Sequence, residues 1–106
     1  MNRTAAEKLG IKPFDAAEYL QSDADCAAYL QACLEQAPDD AAVFAKALGD
    51  VARARGMMQL AKDTGLTREG LYKALGEKGN PSFSTVMKVM HALGLQISVN
   101  PQDAHA

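Results

Sequence analysis

Apolar residues recur along most of the chain at spacings of three and four, the period of a helix with one buried face. Cys26, Tyr29, Leu30, Cys33, Leu34 and Ala37 form one such stripe. It predicts a helix that opens at Ser22 or Asp23, residue types that cap helix N-termini, and stops at Pro38. A second stripe, Phe44, Ala47, Leu48, Val51 and Ala52, starts from Asp39 and Asp40 and closes at Gly56. Carboxylates at the start of a helix interact favourably with its dipole. Residues 57–64 and 67–75 read as two short helices joined by a turn at Gly65-Leu66, and 76–81, with two glycines and a proline, as a loop. Ser82 or Ser84 can cap a last helix with Phe83, Val86, Met90 and Leu93 inward, and Gly94 stands where a left-handed C-cap residue belongs. The period then changes to two. Ile97 and Val99 alternate with polar residues, so residues 96–100 are expected as one short strand, which needs an N-terminal segment or a second copy to pair with.

The predicted fold is therefore all-α, with five or six helices around one core. With 106 residues, 48% of them apolar, the chain suits one domain and is too apolar for disorder. The expected division is an N-terminal arm (1–13), a helical domain (14–100) and a tail (101–106). Within the domain, 14–38 are N-terminal acidic helices that begin with a short patch after Pro13, 39–95 the core, and 96–100 the strand. No run of about 18 apolar residues is present to span a membrane. Residues 1–13 lack the apolar stretch of a secretory signal, and the expected location is the cytoplasm.

The net charge of −2 argues against a strongly basic nucleic-acid binder until the chain is divided. Residues 14–50 hold eight acids against Lys46, a net of −7. Residues 51–106 hold seven bases against four acids, a net of +3, and residues 1–13 carry a net of +2. An acidic and a basic half imply two faces with different partners.

The most informative stretch runs from Leu60 to Leu75. Two short helices meeting at a steep angle need a small residue at the crossing and a turn residue tolerant of positive φ, which Ala61 and Gly65 supply. Leu66, Leu71 and Ala74 then point inward, which leaves Thr67, Arg68, Glu69, Tyr72 and Lys73 on the outer face. On these positions the sequence resembles the helix-turn-helix of the Cro/repressor-like (XRE) family, with a lambda-repressor-like arrangement of helices. The resemblance implies that the second helix enters the major groove of double-stranded DNA. Arg68 then suits bidentate contact with guanine, and Glu69 can accept from cytosine or orient Arg68. Lys73 reaches a base edge or phosphate, while Thr67 and Tyr72 meet phosphate or a thymine methyl. Lys78, Asn80 and Ser82 are expected phosphate contacts. Two departures stand out: Gly56 and Met57 occupy positions where the family often has Ser/Thr and Gln, and Gly70 lies inside the second helix.

A broader resemblance rests on Phe14-Asp15-Ala16-Ala17-Glu18-Tyr19-Leu20, the acidic helix that follows, Asn80-Pro81-Ser82-Phe83-Ser84-Thr85 and Leu93-Gly94-Leu95. Over roughly residues 14–100 the chain looks like the HigA-like antidotes of addiction modules, the antitoxins of type II toxin–antitoxin pairs. That similarity implies a homodimer on a palindromic operator that represses its own operon and neutralises a small basic RelE/HigB-like ribonuclease toxin. The last helix and residues 95–99 are the expected dimer contact. Two rival readings stay open: a stand-alone XRE-type regulator without a toxin, and an interaction module that has lost DNA binding.

The remaining features point away from catalysis. Cys26 and Cys33, seven positions apart on one stripe, lie about 10.5 Å apart along a helix axis, too far for a disulfide, and read as buried thiols. His91 and His105 complete no metal set, and Asp39-Asp40 is better read as a helix start than as an acid/base pair. Met57, Met58, Met87 and Met90 read as core or interface residues. No phosphate loop, nucleophile elbow or metalloprotease helix occurs, so neither an enzyme, a cofactor nor a metal site is expected.

Overall fold

The computed structural model describes residues 16–102 and is all-helical over them. Six helical segments follow one another: α1 (Ala16–Tyr19, one turn), α2 (Asp23–Gln36), α3 (Ala41–Arg55), α4 (Met57–Thr64), α5 (Arg68–Ala74) and α6 (Phe83–Ala92). Four of them open on a side chain that accepts a hydrogen bond from the first turn. Ser22 Oγ takes Asp25 N–H (3.1 Å), Asp40 Oδ1 takes Val43 N–H (3.2 Å), Thr67 Oγ1 takes Gly70 N–H (2.9 Å) and Ser82 Oγ takes Thr85 N–H (3.1 Å). The last helix ends in a Schellman turn. Gly94 adopts φ 79°, and Leu95 N–H reaches back to the Met90 carbonyl at 2.9 Å.

Helix α3 is the hub. It packs against α1 and α2 on the acidic side and against α4, which in turn meets α5 and α6. One cluster of buried side chains runs through all of these, from Leu20, Tyr29 and Cys33 through Leu48 and Val51 to Leu71, Leu75 and Val89. Cys26 and Cys33 are buried within it and no disulfide joins them. α3 and the end of α5 approach closely at Gly49, where a Cβ would collide with the Leu75 carbonyl oxygen.

Two expectations need correction. Residues 96–100 form no strand: a strand exists only when its backbone groups pair, and among the described residues nothing pairs with this segment. Phe83 does not face the core and is 69% exposed. It occupies the first position after the Ser82 cap, beyond the layer that covers Val86, Val89, Met90 and Leu93. The arm expected over residues 1–13 and the last residues of the tail lie outside the described residues, as does the start of the patch after Pro13.

Candidate nucleic-acid interface

The α4–α5 pair is fixed from inside. Leu60 of α4 and Leu71 of α5 are buried, Leu75 caps α5 from within the core, and Ala61, Leu66 and Ala74 are half-buried beside them. The turn is tied at three points. Gly65 adopts φ 76° and its N–H meets the Ala61 carbonyl at 3.0 Å, while Thr64 Oγ1 donates to Leu60 O (2.8 Å) and accepts from Leu66 N–H (3.2 Å). A left-handed residue here demands glycine, because a Cβ destabilises that conformation.

With Leu71, Ala74 and Leu75 inward, the helical period turns Arg68, Glu69, Tyr72 and Lys73 outward, and all four are exposed. The Arg68 guanidinium sits 5.9 Å from the centroid of the Tyr72 ring, one turn along α5, a cation–π contact that restricts both side chains. Thr67, Lys78, Asn80 and Ser82 are exposed as well. The loop carrying Lys78 and Asn80 folds back on α5: a Cβ at Gly79 would strike the carbonyls of Lys73 and Ala74, so these two residues border the C-terminal end of that helix. The hydroxyls of Thr67 and Ser82 already serve as helix caps, and Ser82 also donates to Thr85 Oγ1 at 3.1 Å.

Charge on the basic half divides into two sets. Arg53 pairs with Asp50 one turn earlier on α3 (3.1 Å), while Arg55 holds Asp23 Oδ1 (3.1 Å) and the Gln21 carbonyl (2.6 Å) and so ties the end of α3 to the start of α2. Among the described residues, Lys62, Arg68, Lys73, Lys78 and Lys88 have no carboxylate within ion-pair distance. The unneutralised cations thus lie on α4, α5, the following loop and α6.

Behind this face Asp50 accepts from the Tyr29 hydroxyl at 2.8 Å and lies 4.0 Å from Lys46 Nζ. Burial, with the Asp50 carboxylate beside it, pushes the Tyr29 phenol far above its ordinary 10.0. Burial also raises the Cys26 thiol. Among the described residues no three His, Cys, Asp or Glu side chains are placed to hold a metal ion, and no helix is long and apolar enough to cross a membrane.

The chain belongs to the family described as "Probable addiction module antidote protein", whose family model matches residues 10–101. A relative described as "Uncharacterized protein" from Haemophilus influenzae (strain Rd) is 53% identical over 89 residues, covering 84% of this chain and 90% of the relative. No solved structure matches the chain. Membership of an antidote family supports an antitoxin role and implies a toxin as its partner.

Proposed function

We propose that the protein is a sequence-specific DNA-binding repressor that acts as the antitoxin of a type II pair, a HigA-like member of the XRE helix-turn-helix proteins. The observation that carries the DNA half of this reading is the exposed face of α5, where Arg68 is held over Tyr72 beside Glu69 and Lys73. In this reading α4 and α5 are the helix-turn-helix, with α5 in the major groove. Arg68 reads guanine, Glu69 accepts from cytosine or orients Arg68, and Lys73 reaches a base edge or phosphate. Tyr72 packs against a thymine methyl or phosphate. Lys78 and Asn80, beside the end of α5, set register on the phosphates, and the backbones of the Thr67 and Ser82 caps approach them there. A homodimer presents two such helices about 34 Å apart to a palindromic operator.

The antidote half rests on the family and on the acidic surface of the N-terminal half, which complements a small basic RelE/HigB-like ribonuclease. The protein in this reading is regulatory, not an enzyme, and needs no cofactor. The test is co-expression with the product of the adjoining reading frame, alongside a reporter driven by the chain's own upstream DNA. Growth arrest relieved by the chain, with the reporter silenced, is the expected result. Silencing without any rescue would leave a stand-alone regulator, and rescue without silencing an interaction module.

A further inference from the structure

A groove of about 590 Å³ opens between α2, the turn into α3, the start of α3 and α6. Its walls are apolar, formed by Leu34, Phe44, Phe83 and Ile97. Leu34 is 43% exposed, Ile97 44%, and Phe83 more than either. Three large apolar side chains left uncovered around one cleft form the kind of patch that marks an interaction site.

The charge around this cleft is of one sign. Of the residues that line it, only Asp39 and Asp40 are charged. Asp39 is exposed and has no ion-pair partner among the described residues. Asp40 caps α3 through the Val43 amide, a neutral donor that leaves its negative charge uncompensated. Both belong to the segment 14–50, whose net charge is −7. The unneutralised cations Lys62, Arg68, Lys73, Lys78 and Lys88 all lie outside the lining.

We infer that this groove seats a basic partner protein: an apolar segment of the partner fills the cleft between Leu34 and Phe83, and a lysine or arginine beside that segment pairs with Asp39. Apolar contact at the centre supplies affinity, while the rim charge selects the partner and speeds its approach. A second copy of this chain suits the site less well, because an isologous contact sets the same carboxylates around the cleft twice over. Met87 and Val99, exposed but outside the groove, leave the outer edge of α6 and the segment after it for any contact between copies. The inference rests on the antidote half of the proposed function and deepens it, since it names the cleft that holds the toxin.

The experiment titrates the full chain with the product of the adjoining reading frame by isothermal calorimetry. Wild type is compared with Leu34→Gln/Phe83→Gln and with Asp39→Lys at low and high salt. All three side chains are exposed, so helical circular dichroism should match wild type and confirm that the variants fold. The double variant should bind at least about tenfold more weakly, the loss expected when interface anchors are removed. Asp39→Lys should weaken binding by roughly three- to tenfold at low salt and by less at high salt, as a screened rim charge does. A double variant that binds like wild type overturns the inference and leaves the antidote reading standing. A wild type that binds no such product removes that reading, and this inference with it. Sedimentation equilibrium of the chain alone tests the other occupant. A wild-type dimer turned monomeric by the groove substitutions gives the cleft to a second copy and overturns the inference.

Discussion

Gly49→Ala probes the seat of α5 directly. Alanine is the better helix former by about 1 kcal/mol, so a residue in the middle of α3 that merely tolerated glycine would gain stability on substitution. The structure demands the opposite. The new Cβ falls against the Leu75 carbonyl oxygen, closer than real Cβ atoms come to any neighbour, with Arg53 Nη2 at 3.2 Å on another side. The obstacle at Leu75 is backbone, so relief requires α3 and the end of α5 to separate by roughly 1 Å, at an overpacking cost of about 1–3 kcal/mol. Set against the propensity gain, the net loss is about 0–2 kcal/mol, and its centre near 1 kcal/mol corresponds to roughly 4–8 °C in Tm for a domain of this size. Gly70→Ala is the control. It offers a similar propensity gain inside α5, but its Cβ meets only the Thr67 side-chain hydroxyl, at 2.9 Å. Thermal and urea unfolding followed by circular dichroism compare the two. A Gly49→Ala protein more stable than wild type, or one less perturbed than Gly70→Ala, would refute the close approach of α3 and α5.

Tyr29→Phe should cost about 1–2 kcal/mol, because a buried hydroxyl leaves Asp50 short of a donor. Since the folded phenol titrates above its unfolded value, its contribution is complete below pH 10.0 and falls as pH rises past that point, when only the unfolded chain releases the proton. Urea midpoints measured across this range should decline in the wild type more steeply than in Tyr29→Phe. Gly65→Ala should lose about 1–2 kcal/mol from a Cβ forced into the left-handed region, read as a lower urea midpoint with an unchanged slope. Cys26 and Cys33 should react with a thiol reagent only as fast as the fold opens, and at the free-thiol rate in denaturant.

The longer helices were legible because each carries an apolar stripe and a recognisable start: of the candidate caps, Ser22, Asp40 and Ser82 accept the first-turn bonds. The turn at Gly65 and the outward set on α5 followed from the same period. Phe83 misled because hydrophobicity alone does not say where a helix outruns its neighbours, and Val89, fully buried one turn short of Leu93, was passed over. Long-range partners were invisible. Tyr29 and Asp50 stand 21 positions apart, and Arg55 was counted with the basic half although it clamps Asp23 and Gln21 of the acidic one. Periodicity reports which face is buried, not what it is buried against. The expected strand failed for a related reason: alternation alone supplies no partner, and nothing among the described residues pairs with residues 96–100.

The central claim is that the α5 face reads DNA, and fluorescence anisotropy on a duplex from immediately upstream of the gene tests it, against a scrambled duplex and across a salt series. The account predicts tight binding to the first duplex and weaker binding to the second. Affinity should fall linearly in log–log form with salt at a slope set by the phosphate contacts. The Arg68→Ala/Lys73→Ala variant, folded by circular dichroism, should lose the preference between duplexes and part of the slope. Equal binding to both duplexes, no binding at all, or a variant indistinguishable from wild type would contradict it.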